Sequence, residues 1–163
     1  MFQQTHHTPF GWVTVHSNGE AVTCLDFALD GSDDDSRADD VSRETWRQIN
    51  AYCAGERRDF DLPLVPDASP ALTRWLTTMR KINYGKTITY KDFARLADAP
   101  QAPRAAGSAC ARNPIPLIIP CHRVTRHDGS LGNFGALRAL SPKDPRNLDL
   151  KQALIDHEAR FSA

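Results

Sequence analysis

The sequence predicts an α+β fold, with a small N-terminal domain of strands and a helix over residues 1–68 and a mostly helical C-terminal domain over residues 69–163. Segments 11–16 and 21–27 are rich in β-branched and aromatic residues. Asn18-Gly19 between them favours a tight hairpin turn, because both residues tolerate positive φ. After the hairpin, apolar residues recur mainly at helical spacing. At 163 residues, the chain is long enough for one domain or two small ones.

The rest of the N-terminal domain is predicted to be one helix and a connector. Residues 41–54 carry a helical pattern, with Ser42 as the expected N-cap and Gly55 just beyond the end. Residues 57–66 predict an extended connector that ends in proline. The run Asp30 to Asp40 contains six aspartates and is expected to be a mobile, solvated loop, not a metal site. This domain shows no catalytic constellation, and its expected role is scaffold.

The C-terminal domain is predicted to begin with a helix at Ser69-Pro70, because serine caps a helix and proline suits its first position. Thr89, with an aspartate three residues on, resembles a capping box that opens a short helix. Prolines bracket a turn, and a helix over 104–112 follows, so these elements predict a helix-turn-helix. Residues 150–159 predict the last helix. On it Glu158 shares a face with apolar residues and points toward the core, or else lies solvated at a frayed end.

Charge is unevenly distributed along a chain that carries no net charge. Residues 1–70 hold five Lys and Arg against 13 Asp and Glu, whereas residues 71–163 hold 15 against seven. A basic half predicts a surface that binds phosphate groups. Ordinary solvated charge is the alternative.

Neither a membrane span nor a signal peptide is visible, and the four cysteines show no paired close spacing. We therefore expect a cytoplasmic protein in a reducing compartment, with no membrane partner. The cysteine pattern predicts neither a disulfide framework nor a zinc site.

The most informative segment is 114–124, in which an apolar run ends in Pro120-Cys121-His122-Arg123. Proline restricts its own backbone and that of the residue before it, so Cys121 is expected on a rigid segment beside a candidate base, His122. A histidine and nearby cations can convert a thiol into the nucleophilic thiolate. The alternative is a small buried hydrophobic residue, which is the common role of cysteine.

This segment and its surroundings resemble the C-terminal domain of the O6-alkylguanine-DNA alkyltransferases, also called methylated-DNA–protein-cysteine methyltransferases. The Pro-Cys-His-Arg-Val sequence follows a helix-turn-helix that carries Arg104-Ala-Ala-Gly and Asn113-Pro, and the similarity runs without gaps from about Tyr84 to Asn133. The resemblance implies direct-reversal repair, in which one alkyl group moves from O6-alkylguanine in double-stranded DNA to the cysteine. The reaction would occur once per molecule and without a cofactor. O4-alkylthymine stays open as a second substrate.

The resemblance also implies the catalytic roles. Cys121 would be the nucleophile, His122 the base that acts through a water, and Glu158 the group that orients and charges the imidazole. Asn113 would tie the active-site turn to the second helix of the helix-turn-helix. Tyr90 would crowd the DNA phosphate and donate to the leaving purine, or else occupy a core position on the first helix.

In the family, the second helix enters the minor groove and the damaged base is flipped out of the stack. Arg104 would fill the gap in the stack, with phosphate binding as the alternative. The small residues of this helix would allow it to approach the groove closely, with tight packing inside the protein as the alternative. The implied DNA-contacting residues are Tyr90, Arg104, Ala105, Gly107, Ser108, Arg112 and Arg123. The implied substrate pocket consists of Val124, Asn133, Phe134 and Gly135. We expect a monomer.

Residues 135–147 depart from the family, which usually has a short glycine-rich loop over the alkyl group. They predict either an apolar wall, built on Leu137 and Leu140, that sets which alkyl groups are accepted, or surface decoration. Two other functions stay open. A non-enzymatic lesion sensor is disfavoured by Cys121. A cysteine hydrolase with a Cys-His-Glu triad is disfavoured by the basic half and the small-residue helix.

Overall fold

A four-stranded antiparallel sheet forms the N-terminal part of the computed structural model, which describes residues 1–162. Its strands are β1 (Phe2–Thr8), β2 (Gly11–Ser17), β3 (Val22–Ala28) and β4 (Asp34–Arg37). They lie in the spatial order β3-β2-β1-β4. β2 and β3 pair as the predicted hairpin, and Gly19 in its turn has a φ of +95°. Val13 and Val15 alternate along β2 toward the core.

The sequence pattern predicts neither β1 nor β4. β1 is polar, but it is held by pairing with β2 and by Trp46, whose Nε1 donates to the carbonyl oxygen of Gln4 at 3.0 Å. β4 lies within the aspartate run that was expected to be a mobile loop, and that expectation is wrong for these residues. Backbone pairing of Arg37 with Gln3 and of Asp34 with Thr5 makes a short, fully exposed edge strand. Charged side chains suit such an edge because they discourage pairing with other chains.

Helix α1 (Asp40–Cys53) packs on the sheet, and its N-cap differs from the prediction. Asp39 is the N-cap, and its carboxylate accepts from the backbone N–H of Ser42 at 2.9 Å. The Ser42 hydroxyl accepts in return from the N–H of Asp39 at 3.0 Å. Ser42 is therefore the third helical residue of a capping box, because a carboxylate three residues earlier is available as the cap.

The connector after α1 runs along β3. The N–H of Val22 donates to the carbonyl of Pro63, and the N–H of Val65 donates to the carbonyl of Val22, both at 2.9 Å. Helix α2 (Pro70–Met79) then begins as predicted, with the Ser69 hydroxyl accepting from the N–H of Leu72 at 3.1 Å. Its buried face consists of Leu72, Leu76 and Met79.

Two short helices, α3 (Tyr90–Leu96) and α4 (Pro103–Ala111), are joined by a turn over residues 97–102 and pack against each other. Thr89 caps α3 by accepting from the third N–H of the helix at 3.1 Å, as predicted. Pro103 occupies the first position of α4, where its missing N–H has no helical acceptor in any case.

The remaining elements carry the Cys-His pair and its support. A 3₁₀ helix (Cys121–Arg123) leads into β6 (Val124–Thr125), which pairs in parallel with β5 (Ile88–Thr89). Helix α5 (Pro145–Arg160) starts earlier than the predicted 150–159. Asp144 caps it by accepting from the N–H of Arg146, the second residue of the helix, at 2.9 Å, so the end of the long segment is helical.

The buried apolar residues belong to one connected cluster that includes Val15 and Leu25 of the sheet together with Phe93 and Leu154 of the helices. The boundary between residues 68 and 69 stays a prediction. The sheet, α1 and the C-terminal helices confirm the α+β class. No helix within residues 1–162 is long and apolar enough to cross a membrane.

Candidate active site

Cys121 lies at the start of the 3₁₀ helix and is held by a rigid preceding turn. Asn113, at the end of the α4 region, donates from Nδ2 to the carbonyl of Ile119 at 2.8 Å and accepts from the N–H of Ile115 at 3.0 Å. Leu117 within this turn has a φ of +76°, a strained conformation for a non-glycine residue. Cys121 is buried at this position, with an exposure of only 2%.

Burial raises the pKa of the Cys121 thiol, while a hydrogen bond from Asn113 and the charge of Lys151 lower it in part. The thiol is therefore the resting form. Forming the thiolate requires a base or a nearby cation at the moment of reaction.

Lys151 on α5 is a buried cation whose charge acts on Cys121. Its Nζ donates to the carbonyl of Leu131 and, at 3.4 Å, to that of Asn133, and it lies 5.7 Å from the ring centre of Tyr90. Burial lowers its pKa to about 8. The sequence analysis missed this residue. The available signal was its spacing, since Lys151 precedes Glu158 by two helical turns on the same buried face.

His122 and Glu158 form a buried pair. The imidazole Nε2 lies 2.6 Å from Oε2 of Glu158, and both side chains are almost fully buried. Burial lowers the pKa of His122, so the neutral imidazole donates from Nε2 to the carboxylate. Within residues 1–162, Nδ1 of His122 has no hydrogen-bond partner. This nitrogen is therefore available as a proton acceptor.

The Glu158 carboxylate accepts from three further residues. The Tyr52 hydroxyl lies 2.6 Å from Oε2, Nε of Arg123 lies 2.8 Å from Oε1, and the N–H of Gly85 lies 3.3 Å from Oε1. Burial by itself would raise the pKa of Glu158, but the hydrogen bonds and charges of His122 and Arg123 hold it well below its usual range. The carboxylate is therefore ionised and fixed in place.

Arg123 was expected to contact DNA, and that expectation is wrong. Its side chain is buried, and besides its contacts with Glu158 it donates from Nη1 to the carbonyl of Ile82 at 2.6 Å. A buried carboxylate needs a charged partner, and Arg123 is the one in reach. Tyr52 was missed because it lies 106 residues from Glu158 in a segment with no catalytic pattern.

A surface cavity of about 470 Å³ lies beside this site. It is lined by Tyr90, Pro103, Arg104, Gly107, Ser108, Ala111, Arg126, Gly132 and Asn133. The hydroxyl of Tyr90 faces Gly132 so closely that a Cβ added there would lie 2.5 Å from it. Burial raises the pKa of Tyr90, so the phenol stays protonated and can donate a hydrogen bond.

The outer face of α4 is exposed and carries small or cationic side chains. Arg104, Ala105, Ser108 and Arg112 are exposed, and Gly107 is half-buried against the Tyr90 ring. The opposite face packs inward through Ala106, Ala109 and Cys110. Four of the expected DNA-contacting residues therefore share one accessible surface beside the cavity.

The residues expected to form the substrate pocket are divided. Asn133 lines the cavity, whereas Val124 and Phe134 are buried and do not line it. Gly135 lies against the carbonyl oxygen of Ala111, which a Cβ would approach to 2.5 Å, and it lines a different cleft. Of these four residues, therefore, only Asn133 lines the cavity.

The long segment 135–147 is tied to the N-terminal half. Arg138 donates to the carbonyls of Pro114 at 2.6 Å and Leu25 at 3.0 Å, and Asn147 hydrogen-bonds both the N–H and the carbonyl of Leu137. Among the described residues that line the cavity, none comes from this segment. A role in accepting alkyl groups stays a prediction.

Comparison with known proteins identifies the family. Residues 71–160 match the family model described as 6-O-methylguanine DNA methyltransferase, DNA binding domain. A methylated-DNA–protein-cysteine methyltransferase of Methanosarcina barkeri is 33% identical over 163 residues, covering 97% of both chains. One of Metallosphaera sedula is 33% identical over 156 residues, covering 94% of this chain and 90% of the relative. The chain belongs to the methylated-DNA–protein-cysteine methyltransferase family. It is accordingly a methyltransferase of DNA repair.

Solved structures agree with this family assignment. The Mycobacterium tuberculosis O6-methylguanine methyltransferase has a TM-score of 0.82 and 30% identity, and the match covers 99% of this chain and 94% of that one. A structure of the Mycobacterium tuberculosis protein in complex with DNA has a TM-score of 0.83 at 29% identity, with the same coverage. The predicted family is therefore confirmed, and so is the α+β fold class.

Proposed function

We propose that this methyltransferase repairs O6-alkylguanine in double-stranded DNA by moving the alkyl group to Sγ of Cys121. The observation that carries this proposal is the buried Cys121 next to a His122–Glu158 pair at 2.6 Å, with the exposed small-residue helix α4 beside it. Each molecule reacts once, because the thioether that forms is stable. No cofactor takes part, and the acting form is a monomer.

In the proposed reaction, His122 removes the proton of Cys121 through a water between Nδ1 and Sγ. Glu158 accepts from Nε2, which leaves Nδ1 as the free acceptor, and the carboxylate stabilises the imidazolium that forms. The thiolate then attacks the alkyl carbon. The S–C bond forms as the C–O6 bond breaks, and the electron pair of that bond leaves with the guanine. The ammonium of Lys151 lowers the cost of the thiolate charge.

The leaving guanine needs a proton or a hydrogen bond. We assign this to the Tyr90 hydroxyl, which lines the cavity and stays protonated. The backbone carbonyls of Cys121 and Val124 accept from the exocyclic amino group of guanine. General acid assistance of this kind stabilises the developing negative charge on the base.

Because Cys121 is buried, the base must leave the duplex to reach it, at a cost of a few kcal/mol. We propose that α4 enters the minor groove with its small face and that Arg104 fills the gap left by the flipped base. Minor-groove readout is degenerate, which suits a protein that must scan any sequence. O4-alkylthymine fits the same chemistry as a second substrate.

The decisive experiment is intact-mass analysis after incubation with a duplex that contains one O6-methylguanine. The protein should gain one methylene, and peptide mapping should place it on Cys121, not on Cys24, Cys53 or Cys110. Cys121→Ser should gain nothing, and Cys53→Ser is the matched control that should react. Binding without a mass gain would support a lesion sensor instead, and hydrolysis of esters without DNA dependence would support a cysteine hydrolase.

The electrostatic part of the proposal has its own test. Binding to undamaged duplex should weaken steeply as salt rises, because phosphate contacts release counterions. A titration at several salt concentrations measures the slope. A flat response would show that the basic half does not bind the DNA backbone.

A further inference from the structure

Three side chains with metal-binding atoms converge on one face of the N-terminal hairpin. His16 on β2 pairs directly with Cys24 on β3, and Asp26 lies two residues further on the same face of β3. Their ligand atoms all lie within 4.8 Å of one another. Nε2 of His16 is 2.9 Å from Oδ2 of Asp26, and Sγ of Cys24 is 3.7 Å from Oδ1 of Asp26.

These separations are close to those that a tetrahedral zinc ion imposes. Bonds of about 2.0 Å to nitrogen or oxygen and about 2.3 Å to sulfur, at tetrahedral angles, place N and O donors about 3.3 Å apart and S and O donors about 3.6 Å apart. The observed 2.9 and 3.7 Å differ from these values by a few tenths of an ångström, but they reach different oxygens of the Asp26 carboxylate. Because the three ligand atoms lie within 4.8 Å of one another, rotation of the Asp26 carboxylate and small shifts of His16 and Cys24 would admit an ion.

We propose that His16, Cys24 and Asp26 bind one Zn²⁺ ion or a similar borderline divalent cation, with water as the fourth ligand. Imidazole, thiolate and carboxylate are a donor set that suits zinc. All three residues line a cleft of about 940 Å³ between the hairpin and the C-terminal half, so an ion can enter and a water ligand has room.

Arg138 also contacts this cluster, and its position fits a supporting role around a metal ion. Its guanidinium lies 3.2 Å from Sγ of Cys24 and 3.3 Å from Oδ1 of Asp26, whereas His16 faces the other carboxylate oxygen. A cysteine thiolate and a carboxylate together carry two negative charges, which a dication neutralises. Hydrogen bonds from the guanidinium orient both ligands, as second-layer donors commonly do in metal sites.

Binding is an acid–base exchange with no redox step. The Cys24 thiol releases its proton to solvent as the Zn–S bond forms, and the His16–Asp26 hydrogen bond is exchanged for Zn–N and Zn–O bonds. The cysteine spacing predicts no zinc site because the third donor lies on the neighbouring strand. A bound ion would fix the hairpin relative to Arg138. Because Arg138 also donates to the carbonyl of Pro114, next to Asn113, the ion would stabilise that position as well.

The test uses chelator-treated full-length protein titrated with Co²⁺, whose thiolate charge-transfer absorption reports a Co–S bond. We expect one equivalent to bind and Zn²⁺ to displace it. Cys24→Ser should remove the charge-transfer band, whereas Cys53→Ser, a second half-buried cysteine of the same half, should keep it. His16→Asn and Asp26→Asn should each weaken binding at least about tenfold.

Thermal unfolding gives a second readout that does not depend on a spectroscopic band. Zn²⁺ should raise the Tm of the wild-type chain, because a ligand of the folded state stabilises it by mass action, and the same Zn²⁺ concentration should raise that of His16→Asn less. Absence of a charge-transfer band in the wild type overturns the proposal. So does a band of unchanged strength in a folded Cys24→Ser variant, since Cys121 or Cys110 would then hold the ion.

Discussion

Tyr52 of helix α1 donates a 2.6 Å hydrogen bond to Oε2 of Glu158, the oxygen that also accepts from His122. The N-terminal half, expected to be scaffold, therefore supplies a direct partner of the Glu158 carboxylate. Nη2 of Arg123 also donates to this oxygen, at 3.1 Å, so three donors fix the plane of the carboxyl group and with it the direction of the imidazole. The hydrogen bond also joins the two halves of the chain through a buried polar contact.

Tyr52→Phe should destabilise the chain and slow alkyl transfer. It removes a buried hydrogen bond to a charged group, which typically contributes about 1.5–3 kcal/mol to the free energy of unfolding. Urea unfolding measures the stability, and single-turnover kinetics measure the rate. Tyr84→Phe is the control, because Tyr84 packs against Tyr52 with ring centres 6.1 Å apart but has no described hydrogen bond to Glu158. Equal losses in both variants would contradict the assigned role.

Acidification should destabilise the folded chain from about pH 6.5 downward. The pKa of His122 is lowered on folding, so below that pH the unfolded chain takes up a proton that the folded one excludes. The pKa of Glu158 is also lowered, so its contribution is present at neutral pH and is lost as pH falls below the unfolded value of about 4.3. In both cases stability rises with pH.

Glu158→Gln isolates the second part of this pH dependence. It should lose about 3–5 kcal/mol at neutral pH, because Arg123 is left as a buried charge without its carboxylate. It should also lack the further decline below about pH 4.3. Thermal unfolding across pH measures both. Glu20→Gln, at an exposed position, should leave the profile unchanged.

Arg104→Ala should impair repair of duplex DNA far more than reaction with free O6-alkylguanine base. The proposed role of Arg104 is to stabilise a flipped state, which a free base does not need. Rates on the two substrates give the comparison. Arg112→Ala is the matched control, since it removes one exposed charge from the end of the same helix region and should weaken only DNA affinity. Equal losses on both substrates for Arg104→Ala would assign it to folding instead.

Lys151→Met should slow alkyl transfer at neutral pH by about tenfold or more, because each unit of pKa change at the thiol corresponds to about 1.4 kcal/mol. The pKa of Lys151 is about 8, so the wild-type side chain is charged below that pH and neutral above it. The rate ratio between wild type and variant should therefore be largest below about pH 8 and shrink above it. Lys143→Met, at an exposed position, should match the wild type. A ratio independent of pH would mean that Lys151 acts only by holding carbonyls.

Local signals in the sequence predicted much of the fold. The hairpin, the caps at Ser69 and Thr89 and the two short helices follow from turn and capping chemistry, which acts over a few residues. The edge strand β4 did not follow, because strand pairing satisfies backbone groups whatever the side chains are. The early start of α5 was missed because Asp144 lies in a segment that looked like a loop.

The sequence predicted those site residues that are adjacent in a motif. It did not predict the hydrogen-bond partners that only the tertiary fold brings together. Cys121 and His122 are neighbours, and Glu158 was found from helical spacing and family resemblance. Tyr52 meets Glu158 only through folding. Arg123 looked like a DNA contact because it is a cation close to Cys121 in the sequence, but the need to neutralise a buried carboxylate determined its position.

In the proposed reaction, the near-complete burial of Cys121 makes the alkylated protein differ in stability from the unreacted one. A methyl group on Sγ must be accommodated among side chains that leave only 2% of Cys121 exposed, and overpacking of this kind typically costs about 1–3 kcal/mol. Alkylated copies should therefore melt at lower temperature and be digested faster by proteases than unreacted copies, so that folding alone would distinguish the two.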